Sequence, residues 1–174
     1  MKAKKITKLG GPVFVATIAY SLIFTVWSIY IKAIVKSDAN VGLVNSLFTL
    51  ISFASFFFMV PIVEKSDKYK LTLAMTLLSA VGFLGYIFIN KLAIFLVFGS
   101  IMVIIRSLRI SSTGLLIKSN SERSELSKSE GLIYTLYNVS FVAGPLIGGY
   151  LLSDFGMKYV FIGASLSMLI SFFM

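Results

Sequence analysis

The 174-residue chain contains no cysteine and no histidine. Thiolate nucleophiles and disulfides are therefore excluded, and so are the commonest metal ligand and the usual neutral-pH proton shuttle. Acid is also scarce, with seven Asp and Glu residues against sixteen Lys and Arg, and no acidic residue falls inside any of the long apolar runs. No carboxylate cluster is left to act as base, nucleophile or metal ligand, so no enzyme, cofactor or metal is expected. A coupling proton would need a carrier located elsewhere. Charged residues of both signs make up only 13% of the chain, against about 25% in soluble domains.

What is present instead is apolar. Hydrophobic residues make up 57% of positions and the mean hydropathy is +0.94, so the solvent for most of this chain is lipid. A helix crossing the hydrocarbon needs about 20 apolar residues. Six crossings would consume most of the chain and leave no room for a soluble catalytic domain. The net charge of +9 could suggest nucleic acid, but the basic residues lie mainly in short segments between apolar runs, which is membrane topology and not a phosphate-binding stripe.

Six spans are expected at 12–35, 41–63, 71–89, 92–117, 131–152 and 159–174. The apolar runs are continuous and do not alternate with polar residues, which excludes a membrane barrel. The first run is too long for a signal-peptide core and lacks a small-residue cleavage site after it, so it reads as a retained span. Pro12 suits a first helical turn, and Trp27 and Tyr30 suit the far interface. EKSDKYK reads as a tight charged loop, and Lys118 to Glu130 as a loop or short surface helix. Ten basic residues fall on one side (Lys2, Lys4, Lys5, Lys8, Lys65, Lys68, Lys70, Lys118, Arg123, Lys128) and four on the other (Lys32, Lys36, Lys91, Lys158). This imbalance places both termini in the cytoplasm.

The strongest local pattern lies on the fifth span, where Gly131, Ser140, Gly144, Pro145, Gly148 and Gly149 follow the spacing G-x8-G-x3-GP-x2-GG, with Ser140 as the single departure. Ser140, Gly144 and Gly148 share one helical face, so a neighbouring backbone can approach closely. Pro145 adds a kink or soft point to that face. Small-residue packing between any two membrane helices would have the same face.

With these residues the chain resembles the major facilitator superfamily, whose antiporter-type members carry this pattern on the fifth helix. The aspartate, glycine, basic residue and sixth helix that follow in the family are matched by Asp154, Gly156, Lys158 and the run from Tyr159. After the second span the family has G-x3-D-R-x-G-R-R. Here Glu64 and Lys65 stand for the acidic-basic pair, and Lys68 and Lys70 for the later bases, while Val60 and Asp67 replace both glycines. The resemblance implies that these charges bridge helix ends and help hold one conformation of a transport cycle; a solvated turn obeying the positive-inside bias would look the same.

Arg106 lies about fifteen residues into the fourth span, deep enough that it should face a polar cavity or partner. Its guanidinium suits the carboxylate or phosphate of a substrate, or it is satisfied by carbonyls or by a missing half of the molecule. The family's fourth-span arginine falls earlier in the helix, so Arg106 rests on its own chemistry. Arg109, nearer the helix end, would snorkel to the interface. Further cavity candidates are Tyr20, Thr25, Asn45, Tyr134, Tyr137 and Asn138, each also able to hydrogen-bond between helices.

The expected fold is an all-α transmembrane six-helix bundle. By the resemblance it consists of two three-helix inverted repeats, 1–90 and 91–174, and is one half of a twelve-helix transporter. The resemblance implies transport of a small molecule across the plasma membrane by alternating access, closest to the drug and metabolite efflux branch. The partners would be the lipid bilayer, a small-molecule substrate and a second six-helix half, supplied by a homodimer or a separate chain, and no nucleic acid. The run ends at SFFM without a polar flank, which suggests a fragment, truncated gene or split transporter. The alternative is a non-transporting scaffold or regulatory membrane subunit.

Overall fold

A computed structural model describes residues 3–121 and 126–174. Among them the regular structure is all α-helix: α1 Ala3–Val35, α2 Asp38–Phe58, α3 Val60–Lys65, α4 Lys68–Tyr86, α5 Leu92–Asn120, α6 Leu126–Asp154 and α7 Met157–Phe173. Five of these (α1 from Gly10, α2, α4, α5 and α6) are long and apolar enough to cross a membrane, and α7 is a shorter apolar helix of 17 residues. The chain is an all-α transmembrane bundle.

The helix ends differ from the expected spans for local reasons. The second span is not continuous to Val63: it breaks at Met59, and α3 follows. Pro61, in the first turn of α3, has no N–H to donate and its ring would clash with the carbonyl four residues back. The charged stretch after it is not one loop. Glu64 and Lys65 end α3, Lys68 and Lys70 begin α4, and only Ser66 and Asp67 separate the two helices. Asp67 accepts hydrogen bonds from the backbone N–H of Tyr69 at 2.9 Å and of Lys70 at 3.1 Å, capping α4. The third span stops at Tyr86, and helix claims both flanks of the polar stretch 118–130. Pro12 sits inside α1, not in its first turn.

Several basic residues counted for orientation (Lys2 and Arg123, with the side chains of Lys4, Lys5 and Lys8) lie outside the described residues. Two turns need left-handed backbone: Gly156, at φ 89°, between α6 and α7, and Lys36, at φ 57°, after α1. Glycine adopts that conformation freely, which gives Gly156 a physical reason of its own.

Helix α1 is the axis of the bundle and packs chiefly on α6 and α7. Helix α4 packs on α7 and α5, and α2 mainly on α5. Exchanging α1 with α5, α2 with α6 and α4 with α7 maps these pairings onto one another. Serine hydroxyls tie neighbouring helices together: Ser165 donates to the Ala80 carbonyl at 2.8 Å and Ser171 to that of Pro12 at 2.8 Å. In an apolar surrounding each such bond contributes roughly 0.6 kcal/mol.

Candidate functional site: an aromatic cavity with two arginines on one tyrosine

Three helices bring their polar and aromatic stripes to a common groove. On α1, Tyr20, Phe24 and Trp27 share one face, and on α2 Asn45, Phe48, Thr49 and Ser52 follow the i, i+3, i+4, i+7 rule that places residues on one stripe. Met102, Val103 and Arg106 supply the α5 wall, and Phe83 and Tyr86 close the end. The resulting cavity holds about 300 Å³, and half of its fourteen lining residues are aromatic. That volume suits a small organic ligand.

Its rings are set by hydrogen bonds as well as by packing. Tyr20 meets Phe83 edge to face at 5.4 Å, and its hydroxyl lies 3.0 Å from Ser79 Oγ. Tyr30 is buried and donates to the carbonyl of Tyr86 at 2.8 Å. It therefore belongs to the bundle interior, where it shares the Tyr86 carbonyl at the end of α4 with the Ile89 N–H, and not to an interfacial belt. Trp27 packs against Tyr86 and Phe95, with ring centroids 5.4 and 5.7 Å away.

Of the two arginines, only Arg109 departs from the place that its depth in the sequence suggests. Arg106 is exposed on the open groove, with its guanidinium 5.1 Å from the Tyr20 ring centroid. Arg109, expected to reach the interface, is only 7% exposed and lies 4.8 Å from the same ring. Residues three apart lie about 60° from each other on one side of a helix, so both reach one aromatic ring, and Arg106 lines the aromatic cavity while Arg109 lines another. Each contact is worth about 0.5 to 2 kcal/mol as a cation–π interaction. No Asp or Glu lines the cavity.

Tyr20, Asn45 and Arg106 thus meet in one cavity. Tyr137 packs instead on Val13, Ile117 and Ile133, and Asn138 is exposed on α6 and is not part of the cavity lining. Phe48, Thr49, Ser52, Phe83, Tyr86 and Met102 were not singled out from the sequence. The helical stripe on α2 was a usable signal for the first three; Phe83, Tyr86 and Met102 arrive through the packing of α4 and α5 and carry none.

The glycine face of α6 lies against α1. Ser140, Gly144 and Gly148 are buried there, and the Ser140 hydroxyl donates to the Phe14 carbonyl at 3.3 Å. A Cβ on Gly144 would overlap the Ser21 side chain and come within 2.8 Å of the Ser21 backbone carbon, and one on Gly148 within 2.7 Å of the Leu22 carbonyl oxygen. Gly131 and Gly149 have open space instead, and α6 runs as unbroken helix through Pro145. In the loop after α3, Lys68 Nζ donates to the Glu64 carbonyl at 2.8 Å, joining the two helix ends. The one ion pair among the described residues, Lys32 with Asp38, lies at the opposite end.

A search of curated proteins finds no match. The family model of the Major Facilitator Superfamily, a family of membrane transporters, matches residues 13–174. That match spans α1 from Val13 and every later described helix, including the α6 seam and the cavity walls. The chain belongs to the Major Facilitator Superfamily.

Proposed function

We propose that this chain is one six-helix half of a secondary transporter that moves a small organic anion by alternating access, with Arg106 as the group that attracts the anion. The observation that carries this reading is an aromatic cavity in which an exposed guanidinium faces no carboxylate. A cation would be repelled there, while a carboxylate with an apolar body finds both a bidentate donor and rings to pack on.

The interchangeable helix pairings support two three-helix repeats, 1–90 and 91–174. Each half-transporter exposes the helices that meet its counterpart, and α2 and α6 leave large apolar side chains uncovered, Phe57 at 63% and Leu146 at 73% exposure among them. A second half, from another copy or a separate chain, would close the groove over the substrate. Both termini would face the cytoplasm of a cell membrane, and the direction would be outward, as the fifth-helix motif of efflux-type members implies.

The test is flux in proteoliposomes carrying the full chain, using labelled benzoate and benzamide as charged and neutral probes. Benzoate flux that Arg106→Ala abolishes and Arg106→Lys partly retains would support the reading. Equal flux of both probes, or unaltered flux in Arg106→Ala, would remove Arg106 from the site.

A further inference from the structure

A second cavity of about 350 Å³ lies at the other end of the bundle, among the first turns of α1 beyond Pro12, the start of α4 and the ends of α5 and α7. It shares no lining residue with the aromatic cavity. Its α5 wall holds two buried polar atoms without a hydrogen-bond partner, Arg109 Nε and Thr113 Oγ1, on residues 7% and 4% exposed. They are the only such side-chain atoms among the described residues, and they sit four positions apart on one face of α5.

A buried hydroxyl left unpaired is destabilising, and an unpaired charged donor is more so. Two such costs at one cavity are best explained by a ligand that removes both. Every unpaired group that helps here is a donor, no acidic side chain lines the space, and the Nε edge of a guanidinium presents two parallel N–H groups to one oxyanion. The neighbouring hydroxyls are already committed: Thr72 bonds Ser112 at 2.9 Å and Ser171 bonds the Pro12 carbonyl. A bare inorganic anion would leave most of the volume empty. The remaining wall, with Val13, Leu73, Leu116 and Phe172, is apolar.

We infer that this cavity is a second binding site, for an amphiphilic oxyanion whose carboxylate or phosphate pairs with Arg109 and Thr113 and whose apolar part fills the space between α4 and α7. It does not depend on the role assigned to Arg106. The same head group occurs on soluble fatty acids and on anionic lipids, so the test separates the two sources.

The full chain, purified in a neutral detergent, is titrated with octanoate, octanol and inorganic phosphate while its unfolding temperature is followed. Octanoate should raise it saturably, by roughly 5 °C near a hundredfold excess over Kd, and octanol and phosphate should not. With Arg106→Gln as the background for every variant, so that the aromatic cavity holds no guanidinium, the shift should persist, and adding Arg109→Gln should abolish it. Thr113→Val, which keeps the side-chain shape, should weaken octanoate binding about tenfold and serves if Arg109→Gln does not fold. In nanodiscs, loss of the octanoate shift when phosphatidic acid replaces phosphatidylcholine would assign the site to a lipid head group; persistence of the shift would assign it to a soluble anion. Octanol acting as well as octanoate, a shift retained in both Arg109→Gln and Thr113→Val, or no shift in either bilayer would overturn the inference.

Discussion

Helix α1 borders two regions built on opposite plans. Toward α6 it is met directly by two glycines, Gly144 against the small Ser21 side chain and backbone and Gly148 against the Leu22 backbone. Toward α2 and α5, its Tyr20, Phe24 and Trp27 hold a cavity open. Close backbone approach converts small residues into dispersion contacts and interhelical hydrogen bonds, and tolerates no added atoms. The cavity is a place where rings meet edge to face and leave space. Damage to the seam should therefore appear as lost folding, and damage to the cavity as lost transport by a folded protein.

The largest expected effect is at the seam. Gly144→Leu places side-chain atoms inside α1, and overpacking of this kind costs about 1 to 3 kcal/mol or more. The variant should lose its monodisperse peak on detergent size-exclusion chromatography. An unchanged peak and unfolding temperature would break the contrast at its stronger end. Next is Arg106→Ala, for which anion flux should fall at least about tenfold while the unfolding temperature stays within about 2 °C of wild type, since the side chain is exposed on the groove. Loss of folding there would mean that Arg106 supports the bundle.

Tyr30→Phe tests the packing behind the cavity. It removes the hydroxyl that donates to the Tyr86 carbonyl, and a net loss of about 1 kcal/mol is expected in thermal or chemical unfolding. Gly149→Ala sharpens the seam from the other side: the position has open space, so the alanine should be neutral or stabilise α6 by up to about 1 kcal/mol.

The smallest effect concerns Asp67, outside both regions. The backbone N–H of Lys70, followed by that of Tyr69 and the Lys70 and Lys68 charges, holds its carboxyl below the usual carboxylate range. Folding thus favours the ionised form. The contribution is complete at neutral pH and is lost as pH falls from the ordinary carboxylate value toward the lowered one. In wild type the unfolding temperature should dip slightly over that window, and in Asp67→Asn, which still caps, the dip should vanish.

The seam was legible because its signal is local. Ser140, Gly144 and Gly148 recur every four residues, and any helix with that spacing presents one small face. The break at Met59 was legible in principle from Pro61 but was masked by the unbroken apolar run around it. The burial of Arg109 was not legible, because depth along a span says nothing of azimuth. Both arginines came against Tyr20 only once α1 and α5 were set against each other.

Composition and spacing alone determined that this chain lives in lipid, that it is helical, and that α6 has a face for another backbone; each follows from the transfer of side chains and the period of one helix. Which helix meets that face, which aromatic residues enclose a cavity, and which arginine is free to bind an anion were decided by tertiary structure. Those properties depend on the relative rotation of helices distant in sequence, and packing sets that rotation.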